Sequence, residues 1–228
     1  MASGLCGSLS FDRNLKKILY LHGFASSPAG RKIVALRSLL QPRKIEIVAP
    51  DLNVPSFLDL DFHAIVRVAI SESARHSPAV LAGSSLGALV ALEASRRGVR
   101  APLLLIAPAV GFGRRWVEKL PAGDPLLFLH HAEGRELPIH RRFFEELANV
   151  ESDRDPPSDP VVIVMGTRDE SVPIDLVREV WRRWERSGRL APGSRFVEIT
   201  DGDHGLVDHV AAIAEHIGAL CSRAPSGT

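Results

Sequence analysis

The chain has 228 residues, 45% of them hydrophobic, enough to bury a substantial core and better suited to one large domain (1–228) than to two small ones. Its 28 basic and 27 acidic residues leave a formal net charge of +1, which gives no electrostatic reason to expect a nucleic-acid or membrane-surface partner and points to a small one. No stretch approaches the roughly 18 to 20 apolar residues of a membrane span, the opening 1–13 lacks the basic and apolar regions of a leader, and Cys6 and Cys221 fit neither a metal pattern nor a disulfide framework, so a cytoplasmic protein with reduced thiols is expected.

Six short runs rich in Val, Ile and Leu recur along the chain: 17–23, 45–50, 79–83, 102–108, 161–166 and 195–200. Each reads as a strand buried on both faces. Between most of them lie segments of helical spacing, at 31–41, 62–75, 86–97 and 174–187. Strand and helix alternate, which implies parallel strands joined by right-handed crossovers, hence an α/β sandwich with helices on both faces of the sheet. From about 111 to 160 the rhythm breaks. That interval is far longer than an ordinary connection and reads as an inserted cap with at least one helix, at 141–150, and a polar, Pro-rich return to the sheet. Paired arginines such as Arg96-Arg97 and Arg182-Arg183 are scattered and read as solvated helix faces.

The stretch "VLAGSSLGALVAL" (80–92) joins the third expected strand to the third helix. A glycine-x-serine-x-glycine match is weak alone, and a lone serine there could simply cap the helix. At a strand-turn-helix elbow, however, the turn strains its central residue and exposes its side chain at the carboxyl edge of the sheet, where Cβ atoms two positions to either side would collide with strand and helix. Gly83 and Gly87 therefore select Ser85 as nucleophile; centring on Ser84 would need glycines where Ala82 and Leu86 stand. A serine hydroxyl requires a base, and the base a carboxylate to orient it. Asp169 follows the fifth run and His204 the sixth, giving the order Ser, Asp, His of an α/β hydrolase. Glu170, Asp175, Asp201 and Asp203 are rival carboxylates; His63, His76 and His140 belong to helical or loop surfaces, and His209 and His216, seven apart, read as sharing one face of the last helix.

Oxyanion donors are expected from the backbone N–H of Leu86, just after the nucleophile, and of Phe24, in the loop after the first strand. For that loop to reach Ser85 the first and third strands must be neighbours, which predicts a doubly wound sheet in the order 2-1-3-4-5-6. His22 is expected to shape the same loop through hydrogen bonds, at the edge of the pocket. Trp116, Phe128 and Phe143 read either as the lining of an acyl pocket beneath the cap, with Phe144, or as residues burying the cap's own helices. The "HHAE" stretch (130–133) has no second ligand cluster at metal spacing, so no metal is expected.

With "LYLHGFASSP", "LAGSSLGALVAL", "LIAPAV", "GTRDESVP" and "GDHGL", the chain resembles the small YqiA-like esterases of the α/β-hydrolase superfamily over most of its length outside the cap. The resemblance implies an α/β-hydrolase fold and cofactor-free hydrolysis of an ester or thioester through Ser85, Asp169 and His204, with the HGF stretch carried to Phe24 as oxyanion loop. The insert departs from that group in being longer and richer in arginine. A peptidase, a cofactor-free haloperoxidase and a non-catalytic binding protein of the same fold stand as rivals, and a homodimer stays open.

Overall fold

The computed structural model describes residues 15–223, so Cys6 and the opening stretch lie outside the described residues. Six parallel strands form the central sheet: β1 (Lys16–Leu21), β2 (Ile45–Val48), β3 (Val80–Ser84), β4 (Leu103–Ile106), β7 (Val161–Gly166) and β8 (Arg195–Ile199). Their order is β2-β1-β3-β4-β7-β8. These are the six expected strands in the expected spatial order. The numbers jump from 4 to 7 because the insert supplies a two-stranded antiparallel sheet of its own, β5 (Leu126–His130) with β6 (Arg135–Ile139).

The inner strands β3, β4 and β7 are almost wholly apolar because both faces are covered, whereas charged residues stand at the start of β1 and in the edge strands β2 and β8. Alternate residues feed opposite cores, as the two-residue repeat of a strand requires. Leu19, Leu21, Leu81 and Leu103 face the core beneath α2 (Phe62–His76), α3 (Leu86–Arg96) and α6 (Ile174–Arg186). Ile18, Tyr20, Val80 and Leu104 face the other, covered by α1 (Arg31–Leu40) and α7 (Val210–Arg223). Helix α2 starts where Asp61 Oδ1 accepts the Ala64 N–H at 2.6 Å. Cys221 is a buried free thiol on α7, its pKa pushed up to about 11 by burial. No helix among the described residues is long and apolar enough to cross a membrane.

The interval from 111 to 160 holds α4 (Phe112–Val117), the β5–β6 hairpin and α5 (Arg142–Ala148). The hairpin gave no period-two signal: the outward-facing Leu127 and Leu129 of "LLFLH" are apolar although 62% and 51% exposed, and Pro138 interrupts its partner strand. The insert is tied to the sheet domain by His131 N–H to Ala25 O at 2.8 Å, His140 N–H to Leu58 O at 3.0 Å and Arg142 to Asp59 at 2.9 Å.

Candidate active site

Ser85 stands between β3 and α3 with φ 53° and ψ −116°, a strained conformation for a residue with a Cβ. Its backbone is held on both sides: its N–H donates to Ile106 O at 2.9 Å, and its carbonyl accepts the Ala88 N–H at 3.0 Å and the Ala109 N–H at 3.3 Å. The flanking glycines are demanded by close backbone approach. A Cβ on Gly83 would lie 2.3 Å from Gly87 O, and one on Gly87 would lie 2.1 Å from Leu21 O. At the first position of α3, Leu86 has a backbone N–H with no intrahelical acceptor.

The loops after β7 and β8 are joined backbone to backbone. Arg168 N–H donates to Gly202 O at 2.9 Å, Thr167 N–H to Ile199 O at 3.0 Å, and a Cβ on Gly166 would lie 2.2 Å from Gly202 O. This contact brings His204 to Asp169, Nδ1 to Oδ2 at 2.8 Å, with the Asp169 side chain fully buried and the His204 side chain 29% exposed. Asp169 Oδ1 accepts the N–H groups of Ser171 at 2.9 Å and Val172 at 2.8 Å, so the carboxylate is compensated and immobilised. The rival acids are engaged elsewhere or face solvent. Asp175 pairs with Arg178 and Asp201 with Arg168, each at 2.8 Å, Asp203 Oδ1 caps the turn at Leu206 N–H at 2.7 Å, and Glu170 is exposed.

The loop after β1 lies against the elbow, close enough that a Cβ on Gly23 would meet Ser85 Cβ at 3.4 Å. His22 is buried, and its Nε2 accepts the Leu52 N–H at 3.0 Å while Nδ1 stands 2.9 Å from Gly23 O. A ring that accepts at Nε2 must donate from Nδ1, which makes it the neutral tautomer. Burial lowers its pKa in keeping with that form. Among the described residues the Phe24 N–H donates to no backbone carbonyl.

Ser85, His204, His22, Phe24 and Trp116 line one cavity of about 750 Å³. The aromatic residues that read either as pocket lining or as packing of the insert divide between the two places. Phe143 is 1% exposed and stacks on Phe24 at 6.1 Å, while Phe128 packs edge-on to Phe24 at 5.4 Å and stacks on Trp116 at 5.7 Å. Both fall outside the cavity lining. They form the core between insert and sheet domain, because Phe24 projects into the insert and its ring must be covered. In "HHAE", the ring of His130 packs against Phe57 at 4.8 Å, whereas His131 lines the cavity.

Sequence reasoning passed over Lys32. Its Nζ donates to Ser84 Oγ at 2.8 Å inside the same cavity. Burial pushes its pKa down to about 8 despite the opposing influence of Asp203 and Asp169. The signal was present: Lys32 stands four and eight residues before Leu36 and Leu40, on the buried face of α1, where an unexplained lysine is unusual.

The fold is that of solved α/β hydrolases. The chain superposes on Est1E from Butyrivibrio proteoclasticus, solved with ferulic acid, with TM-score 0.74 at 18% identity, covering 94% of this chain and 91% of that one. For alpha/beta hydrolase domain-containing protein 10 from mouse the values are 0.70, 20%, 91% and 90%, and for the esterase domain of a Rhodothermus marinus protein 0.69, 20%, 96% and 90%. No curated protein matches the chain by sequence. The family model that does match spans residues 17–219, nearly the whole described structure with β1, the elbow, both joined loops and the insert, and the chain therefore belongs to the uncharacterised protein family UPF0227.

Proposed function

We propose that the protein is a serine hydrolase that cleaves the carboxylic ester or thioester bond of a small substrate. One observation carries the reading: Ser85 is held at φ 53° at the edge of a cavity that also receives a histidine already paired to a buried carboxylate. Strain of this kind persists only where surrounding structure enforces it, and it concentrates at functional sites. The esterase and hydrolase descriptions of the solved structures agree with this reading.

In the proposed reaction Ser85 Oγ attacks the carbonyl carbon while His204 Nε2 takes the hydroxyl proton and passes it to the departing alkoxide or thiolate. Asp169 holds Nδ1–H and stabilises the imidazolium. The N–H groups of Phe24 and Leu86 receive the oxyanion. Water then attacks the acyl-enzyme, its proton goes to His204, and Ser85 regains its hydrogen as the acid departs. Every step is carried by the chain's own residues, so no metal or organic cofactor is called for.

A fluorophosphonate probe should label the wild-type protein at Ser85 and leave Ser85→Ala unlabelled. Hydrolysis across short and long acyl esters and thioesters should fall by at least about 10³-fold in that variant, with the unfolding midpoint unchanged. Equal turnover in the variant would end the proposal.

A further inference from the structure

Lys32 is a cation without a counter-ion at the site. Its only hydrogen bond among the described residues is to Ser84 Oγ, and it forms no ion pair there. An ammonium has three donors, so two are free to bind a ligand. Among the described residues no aspartate or glutamate lines the cavity, whereas Arg31, exposed and in no ion pair with any of them, stands beside Lys32 in its wall. The carboxylates that act on Lys32 are Asp169 and Asp203. The first is committed to His204, Ser171 and Val172, and the second caps the turn at Leu206. Neither opens on the cavity. The half-buried Arg178 shows the contrast, since it meets Glu198 at 2.7 Å and Asp175 at 2.8 Å. Withdrawing an ammonium from water without such a partner is costly, and costs of that kind are retained where a ligand offsets them.

We infer that the cavity recognises an anionic oxygen group, a carboxylate or a phosphonate or phosphate, on the substrate, held by the Lys32 ammonium beside Ser84. Because Ser84 directly precedes Ser85, the anion sits only a few bonds from the ester carbonyl. The uncapped first turn of α1, whose N-cap is Gly30, adds its own positive potential to the same wall. Lys32 acts here as a specificity-determining residue. A rival arrangement, with Lys32 activating Ser84 as a second nucleophile, is disfavoured because Ser84 is the last residue of β3 and only 9% exposed. The inference rests on the ester-hydrolase reading for the reaction, but not for binding, so the two can fail separately.

The test compares ethyl hydrogen succinate and ethyl 3-phosphonopropanoate with the neutral ethyl pentanoate near pH 7, in wild type, Lys32→Met and Lys32→Arg. Wild type should favour at least one anionic ester by about tenfold or more in kcat/KM, as a charge-assisted hydrogen bond would give. Lys32→Met should bring the ratio of anionic to neutral near one, chiefly through KM, and Lys32→Arg should keep part of it. Whichever anionic ester is preferred separates carboxylate from phosphonate recognition. A wild type without preference, or a ratio that Lys32→Met leaves intact, overturns the inference. Binding is read independently by calorimetry of ethyl hydrogen succinate and ethyl 3-phosphonopropanoate to Ser85→Ala, with and without Lys32→Arg and Lys32→Met. Binding of either that weakens without Lys32 upholds the anion site even if no ester is ever hydrolysed, and binding of both that is indifferent to Lys32 refutes it even if hydrolysis is found.

Discussion

The rim of the sheet and the insert that faces it are held by different physics. At the rim, backbone meets backbone: Gly83 against Gly87, Gly87 against Leu21 and His22, Gly166 against Gly202. Such contacts are made by main-chain atoms that cannot rotate away, so they position Ser85, Asp169 and His204 with little freedom. The insert is joined instead by a cluster of rings around Phe24, with Phe57, Trp116, Phe128, Phe143 and Phe144 at centroid distances of 5.4 to 6.1 Å, and by ion pairs at its surface. Rings can repack and exposed ion pairs are weak. The region that would do chemistry is thus rigid, and the region that would meet the substrate is adaptable.

The largest expected effect separates activity from stability at the rim. In Asp169→Asn the side-chain oxygen can still accept the Ser171 and Val172 N–H groups, while the amide nitrogen cannot accept from His204 Nδ1. Turnover should fall by about 10³- to 10⁴-fold, measured on any ester the wild type hydrolyses, with the thermal midpoint nearly unmoved. Next is Gly87→Ala, whose Cβ would strike the Leu21 carbonyl. It should lower unfolding free energy by about 3 kcal/mol or more in a denaturant titration, since backbone cannot yield as side chains do. A well-tolerated alanine there would break the contrast between the two regions.

In the insert, Phe24→Ala should remove about 2 to 3 kcal/mol by emptying the centre of the ring cluster. Limited proteolysis should then cut first within 111–160, before the sheet domain. The smallest effect is expected for Arg142→Ala, which loses the ion pair to Asp59 between side chains 65% and 41% exposed. A change below about 0.5 kcal/mol, smaller still at high salt, is what a solvent-screened pair predicts. An effect as large as that of Phe24→Ala would mean that charges and not rings seat the insert.

Much of the sheet domain was legible because its signals are local. Runs such as "VVIVMG" need only their own composition to read as strands buried on both faces, and the glycines around Ser85 report a clash built into one turn. The loops of Asp169 and His204 could be found by their place after strands, without knowing that 2.8 Å separates the two side chains. The hairpin of the insert stayed hidden because Leu127 and Leu129 are apolar on its outward face, which erases the alternation that marks a strand. Phe128 and Phe143 could not be told from pocket residues, since a ring covering Phe24 and a ring covering a substrate have the same composition and spacing.

The six strands, the helices between them and the residues standing at the ends of strands follow from the sequence alone, because hydrophobic period and turn chemistry act over a few neighbouring residues; the strand order followed only from requiring the first loop to reach Ser85. Only the tertiary structure decided which side chains share the cavity: that Lys32 reaches Ser84 from another element, that Asp169 and not its acidic neighbours meets His204, and that Phe24 turns into the insert. Those facts depend on distances between segments far apart in the chain. Such distances are set by how whole faces of sheet and helix pack, which no local pattern records.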